Sequence, residues 1–241
     1  MTITHVAPGW CADPGARDLL TFDDWWRLPA DWVEPPNFRR GGWSAVSRLT
    51  LPGPTGEAET LYVKRQVAQF RRTPATGGRL RPTYFHEFQA LSWSPTLPVV
   101  DWVCYAERGD QAILVTRAPR GFVPLSVLAG RMPGAHLACA LVSVGAALAV
   151  LHRRRLQHGA CYPDHILVDP ITLRVRLLDL ERWRRRLTVA AAARSDLDQL
   201  LRRAPFLDQA GRDSLLRTAC LYAPGLKLPA PRAPDGIPDY V

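Results

Sequence analysis

The chain has 241 residues, 47% of them hydrophobic and 22% charged. That is enough for one sizeable core or two small lobes of a single unit, and too apolar for a disordered chain. A formal net charge of +9 implies attraction to something anionic, such as nucleic acid, a phosphate-rich glycolipid or a membrane surface. The arginines are dispersed apart from clusters at 153–155 and 182–186. Neither an RNA-binding aromatic motif nor zinc-finger spacing accompanies them, so nucleic acid is not favoured. Cys11, Cys104, Cys139, Cys161 and Cys220 are odd in number, scattered and without a C-x-x-C pair. This speaks against a disulfide framework or a Cys-rich zinc site and for a reducing cytoplasm. Asp13, Asp18, Asp23 and Asp24 near the start do not fit a signal peptide. The longest uncharged apolar run, 137–151, is shorter than the roughly 18 residues of a membrane span and predicts a buried helix.

Residues 1–38 are rich in Trp and Pro and predict an N-terminal extension in which Trp25, Trp26 and Trp32 cover apolar surface. Residues 44–51 and 60–67 predict strands of a hairpin around Pro52-Gly53-Pro54-Thr55-Gly56. After a basic, Gly-containing loop, Tyr84, Phe88 and Leu91 at helical spacing predict a helix over 83–93, with Thr83 as N-cap. Apolar strands at 99–105 and 111–116 flank Arg108-Gly109-Asp110 and complete a mainly antiparallel sheet with one helix on it. These elements make an N-lobe over 39–117. A connector then leads to a mainly helical C-lobe over 118–223, opened by the apolar helix 134–154. Short strands at 165–168 and 175–178 and helices at 187–203 and 208–222 follow. Pro229, Pro231, Pro234 and Pro238 mark 224–241 as a disordered tail.

The order of the polar residues carries more than any one of them. Gly41 and Gly42 open the first hairpin, Lys64 lies in the next strand and Glu87 in the following helix. A His-led loop spans 158–165, and Asp179 follows an apolar strand. This is the protein-kinase order of parts: a Gly-rich loop over phosphates, a strand lysine paired with a helix glutamate, a catalytic loop and a metal-binding Asp. Each part also has an ordinary explanation. The glycines could only form a tight turn, and no full G-x-G-x-x-G or Walker motif is present. Period-two alternation sets Lys64 opposite Leu61 and Val63, as a solvated lysine would be. Glu87 could be a solvated helix residue, and Asp179 could pair with a nearby arginine instead of a cation.

The wording of the segments is more specific. Trp32-Val33-Glu34-Pro35-Pro36-Asn37, Arg40-Gly41-Gly42-Trp43-Ser44, Tyr62-Val63-Lys64-Arg65-Gln66 and His158-Gly159-Ala160-Cys161-Tyr162-Pro163-Asp164-His165-Ile166 resemble the Kdo/WaaP lipopolysaccharide kinase family. The InaA-like branch is the nearest, and the likeness runs from about Phe22 to Leu201. It implies an α+β, bilobal protein-kinase-like fold with a small antiparallel-sheet N-lobe and a mainly helical C-lobe. It also implies ATP and Mg²⁺ as cofactors and phosphorylation of an inner-core sugar of lipopolysaccharide, Kdo or heptose, at the cytoplasmic face of the inner membrane. Gly41, Gly42, Ser44, Lys64 and Glu87 would then bind the nucleotide and Asp179 the metal.

In the catalytic loop this sequence departs from H-R-D-L-x-x-x-N. His158 keeps the first position, Ala160 replaces the Asp that accepts the hydroxyl proton, and His165 replaces the metal-binding Asn. Mg²⁺ prefers oxygen ligands, which leaves His165 to orient a phosphate. The nearest replacement carboxylate is Asp164, but four residues of chain span up to about 13 Å, so it serves only if the loop folds back. His158 fits a core histidine better than a base. A zinc site at His158, Cys161 and His165 lacks a fourth ligand, and Cys161 as a nucleophile lacks an activating pair. Two outcomes stay open: a carbohydrate kinase, or a pseudokinase that binds nucleotide or acts as a scaffold without turnover.

Overall fold

Alternation along one strand sets the architecture of the first half of the molecule, which is a computed structural model describing residues 2–8, 10, 19–39, 41–52, 57–93, 96–132 and 134–222. Cys11, Asp13, Asp18, Arg40, the 53–56 turn and the proline-rich tail 224–241 lie outside the described residues. In strand β4 (Ala58–Val67), Leu61, Val63 and Arg65 are buried on one face. Tyr62 and Lys64 take the opposite face. Around it lie β1 (Thr2–Val6), β2 (Asp31–Arg39), β3 (Gly42–Pro52), β7 (Trp102–Arg108) and β8 (Gln111–Arg117). Together they form a six-stranded sheet in the order β1-β7-β8-β4-β3-β2, with every neighbouring pair antiparallel.

The expected hairpin is present as β3 with β4. Residues 1–38, read as an extension, supply both edge strands and the cover of the sheet's back. Asp31–Arg39 carries Pro35 and Pro36, which cannot donate to a ladder, and its register slips on either side of Glu34. Prolines confine such a strand to an edge. Trp32 is 40% exposed there, so of the tryptophans expected to cover apolar surface only Trp25 is fully enclosed and Trp26 partly so.

The back of the sheet is closed by the short helix α1 (Phe22–Trp26). Phe22 and Trp25 join Trp10, Leu61, Val63, Ile113 and Val115 in a separate core cluster. A five-residue helix has no stability of its own in water, so burial of these rings, at roughly 1.5–3 kcal/mol each, holds it in place. Thr21 and Asp24 close a capping box at its start. Its end is held by Arg65, whose guanidinium donates to Trp25 O (2.9 Å), Leu28 O (3.1 Å) and Ser47 Oγ (3.0 Å). The basic loop after β4 forms the hairpin β5 (Phe70–Arg72) with β6 (Leu80–Pro82). Helix α2 (Thr83–Leu91) packs on the front face, where Phe88 stacks on Tyr105 at 4.7 Å. The cap of α2 differs from the expected one. Pro82 holds the cap position, and the Thr83 hydroxyl instead donates to Gln66 Oε1 at 2.7 Å.

In the second half, β9 (Val123–Pro124) leads into α3 (Leu125–Ala129) and α4 (Gly134–Arg153). Helix α4 is long and apolar enough to cross a membrane by composition. In the structure Leu141, Val144, Leu148 and Leu151 join the main core, and Gly145 lets α6 (Gln209–Tyr222) approach, since a Cβ there would lie 2.9 Å from Thr218 Cβ. Short strands β10 (Leu156–Gln157), β11 (Ile166–Val168), β12 (Val175–Leu177) and β13 (Arg184–Arg185) carry the loops between α4 and α5 (Val189–Arg203). The two halves are sewn together beside the last of these loops. Leu177 donates to Pro98 O at 2.7 Å and accepts from Val100 N at 3.0 Å.

Arg65→Met should lower stability by about 2–3 kcal/mol in urea unfolding, because hydrogen bonds from a charged donor are lost and buried carbonyls are left without a partner. A change below about 0.5 kcal/mol, the range of an ordinary surface substitution, would contradict the anchoring of α1 by Arg65.

Candidate active site

Lys64 leaves β4 on the face that meets α2, and Glu87 comes one turn into that helix. The ammonium lies 2.7 and 2.8 Å from the two carboxylate oxygens of Glu87 and 3.5 Å from Asp179 Oδ1. Lys64 is only 13% exposed and Glu87 1%, so the ordinary solvated roles considered from sequence do not apply to either. Burial alone would lower the Lys64 pKa, but the carboxylates of Glu87 and Asp179 outweigh it and hold the ammonium above the ordinary lysine value. Burial pushes the Glu87 carboxyl up, with Lys64 opposing and Asp179 adding to the rise. Asp179 moves the other way: burial raises it, but Lys64, His165 and His158 outweigh that and leave it below the usual carboxylate value. Two carboxylates sharing one cation split apart in this manner.

The neighbours of Lys64 in sequence fix this geometry. Gln66 Oε1 accepts from Tyr84 N (3.0 Å) as well as from the Thr83 hydroxyl, which satisfies one of the free N-terminal donors of α2, while Thr83 N donates to Gln69 O at 3.0 Å. From the other side Trp183 Nε1 donates to His86 O at 2.6 Å, and Arg71 reaches Glu181 O at 2.8 Å. Helix α2 is thereby clamped between the strand bearing Lys64 and the segment that follows Asp179. Asp179 itself has a left-handed backbone (φ +59°, ψ +54°), a conformation that Asp adopts more readily than most residues and that recurs where geometry serves a site.

The loop at 158–165 folds back on itself. His165 Nδ1 lies 2.8 Å from Ala160 O and 3.5 Å from Asp179 Oδ2. A carbonyl only accepts, so Nδ1 carries the proton and Nε2 of the neutral ring is an acceptor. The fold-back brings Asp164, His165 and Asp179 to one cleft of about 620 Å³, lined also by Ser44, Lys64 and Glu87. Asp164 is exposed, and one of its carboxylate oxygens accepts from Ser126 Oγ of α3. Gly41 lies in the β2–β3 turn with φ +77°, and Gly42 opens β3, where a Cβ would fall 2.1 Å from Val67 O, so close strand packing by itself requires Gly42; neither is among the residues that line the cleft.

His158 is fully buried and its pKa is lowered by that burial, as suits a core histidine. Cys161 is enclosed and its thiol is pushed well above its usual value by burial, as suits a core cysteine. Among the described residues no group of three or more His, Cys, Asp or Glu side chains is placed to hold a metal ion. Asp179 could offer carboxylate oxygen to a divalent cation that takes its other ligands from phosphate and water, while the His165 nitrogen that faces it is the protonated Nδ1.

Sequence reasoning missed the residues that hold the loop. Asp196 of α5 is fully buried. Its carboxylate accepts from His158 N (2.7 Å) and Gly159 N (3.0 Å) and meets His152 Nε2 at 3.0 Å. Gln199 accepts from Cys161 N at 2.6 Å. A signal was present, because Asp196 falls on the apolar stripe of Ala192, Ala193, Leu197 and Leu200, where an acid is expensive unless it is partnered. Tyr62 was also missed as a cleft residue. Leu61-Tyr62-Val63-Lys64 puts a tyrosine where V-A-I-K has alanine, which narrows the cleft beside Lys64.

The family model described as lipopolysaccharide kinase (Kdo/WaaP) family matches residues 23–218. Protein InaA of Escherichia coli (strain K12) is 31% identical over 192 residues, covering 74% of this chain and 86% of that protein. Among solved structures, WaaP in complex with acyl carrier protein superposes with a TM-score of 0.60 at 21% identity, over 90% of this chain and 88% of that one. At that identity the structural likeness is one of fold.

Asp196→Ala should cost about 3 kcal/mol or more, since it strips an acceptor from two buried N–H groups and from His152. Hydrogen exchange at residues 157–161 should accelerate with it. Exchange at wild-type rates in that segment would show that α5 does not hold the loop.

Proposed function

The chain belongs to the lipopolysaccharide kinase (Kdo/WaaP) family, and from that premise we propose that it transfers the γ-phosphoryl group of ATP to a hydroxyl of a lipopolysaccharide core sugar, Kdo or heptose, at the cytoplasmic face of the inner membrane. The observation that carries the proposal is the convergence of Lys64, Glu87 and Asp179, drawn from three separate elements, on one cleft. Lys64, oriented by Glu87, would hold the α- and β-phosphates. Asp179 would hold the cation, and His165, whose Nδ1 lies 3.5 Å from Asp179 Oδ2, would orient a phosphate. Bound there, ATP supplies the phosphoryl group, and its divalent cation neutralises phosphate charge during transfer. Ser44 lines the same cleft, while Gly41 and Gly42 at the adjoining turn would bring backbone close to the phosphates.

Ala160 bears on turnover. It is 2% exposed, and its backbone is engaged at both ends, the N–H with His158 and the carbonyl with His165. Position 160 therefore offers no base. Asp164 has one oxygen held by Ser126, and the other would take the acceptor's hydroxyl proton as the new O–P bond forms. Losing a positioned base costs about 10²- to 10⁴-fold, whereas positioning and electrostatics supply most of the rate in phosphoryl transfer. Slow turnover is consistent with this site. Ala160 equally favours the second reading, a pseudokinase that binds nucleotide without transfer.

In a transfer assay with Mg-ATP and purified lipopolysaccharide core acceptors, wild type should give slow phosphorylation. Asp179→Asn should abolish it, and Asp164→Asn should slow it by about 10²-fold. Absence of transfer by wild type with nucleotide binding intact would establish the pseudokinase in its place.

A further inference from the structure

The pairing of β10 with β13 joins two arginine clusters that are far apart in sequence. Leu156 lies opposite Arg185 and Gln157 opposite Arg184, and Arg186 N donates to Arg155 O at 2.8 Å. Residues 153–155 and 184–186, all arginine, thus form one continuous exposed surface. Among the described residues none of Arg153, Arg155, Arg184, Arg185 and Arg186 has a carboxylate partner, and Arg154 bonds only the Thr96 hydroxyl. Like charges gathered this closely repel. Arg155 also holds a left-handed backbone at φ +58°, where glycine or asparagine would cost less. A fold that keeps this concentration of charge unpartnered gains nothing from it unless an anionic surface meets it.

Two further features define that surface. Leu187, directly after Arg186, is 92% exposed and stands at the rim of the basic patch. Towards the cleft, Arg182 shares with Arg71 and Glu181 a cavity of about 440 Å³, and Glu181 also lines the site cleft. The basic strip therefore runs from Arg182, next to the shared Glu181, out to residues 184–187. A nucleic-acid backbone would satisfy the arginines but has nothing to offer an exposed leucine. The interface of an anionic bilayer satisfies both, since guanidinium groups meet lipid phosphates while an apolar side chain enters the acyl boundary.

We propose that residues 153–155 and 184–187 form a docking face for an anionic lipid bilayer, which holds the cleft at the membrane surface. This gives a physical basis to the membrane-side location in the proposed function, on which its meaning rests. Its test uses neither nucleotide nor acceptor, so the two can fail separately.

The experiment is co-sedimentation of the full chain with phosphatidylcholine vesicles, with and without phosphatidylglycerol, across a salt series. Wild type should bind only the phosphatidylglycerol vesicles and should release as salt rises. Replacing Arg184, Arg185 and Arg186 by Gln should weaken binding about 100-fold, at about fivefold per arginine near an anionic surface. Removing an equal charge as Arg27→Gln, Arg48→Gln and Arg120→Gln, three arginines already paired with Asp23, Asp31 and Glu57, should change binding little. Leu187→Asn, at a side chain too exposed to affect folding, should weaken binding several-fold without altering the salt dependence. Wild-type binding by the 184–186 variant, an equal loss in the control, or tighter binding to single-stranded RNA than to the vesicles at the same salt would overturn the proposal.

Discussion

A lysine ammonium enclosed between two carboxylates, Glu87 on one side and Asp179 on the other, is the contact around which the molecule is organised. Enclosing such charges carries a desolvation penalty of several kcal/mol per ion, and the pair is sustained only when geometry and further hydrogen bonds are good. The surrounding structure supplies that geometry from several directions. Gln66 fixes the start of α2, Trp183 holds the carbonyl of His86 next to Glu87, and the Leu177 bridge to Pro98 and Val100 ties the Asp179 segment to the first half of the chain. Three consecutive residues of one strand divide the work. Lys64 faces the cleft, Arg65 fastens α1 to the back of the sheet, and Gln66 caps the helix that presents Glu87.

The second half of the molecule follows the same logic with a buried acid in place of a buried base. Asp196 gathers the backbone of His158 and Gly159, and the loop so fixed folds back until Ala160 O meets His165. His165 turns its protonated Nδ1 toward Asp179 Oδ2 as well, at 3.5 Å, and keeps Nε2 as an acceptor. The loop is fixed by these contacts and sets His165 beside Asp179, yet it lacks a carboxylate at position 160. Under the proposed function, this combination would serve phosphate and cation binding more than proton abstraction.

Much of the site was legible in the sequence because its residues fall in a fixed order along the chain, and order survives without knowledge of pairing. Lys64, Glu87, Asp179 and His165 were found in that way. The alternation that set Lys64 opposite Leu61 and Val63 was correct, but whether that face met water or a helix depended on α2. Strand β2 was hidden by Pro35 and Pro36, and β1 by its position at the edge of a sheet whose other strands come much later. Asp196 was visible only as an acid on an apolar stripe, and its partners lie some 40 residues upstream. The single arginine surface could not be read at all, since two clusters about 30 residues apart become one only through the pairing of β10 with β13.

The central claim is that Lys64, Glu87 and Asp179 form a nucleotide-phosphate site, and the most direct measurement is the melting temperature of wild type and Lys64→Met with increasing Mg-ATP. A ligand that binds only the folded state stabilises it by about 2.7 kcal/mol at a hundredfold excess over Kd. Wild type should therefore show a concentration-dependent rise that Lys64→Met largely loses. An unchanged melting temperature for wild type across a wide range of Mg-ATP would contradict the account.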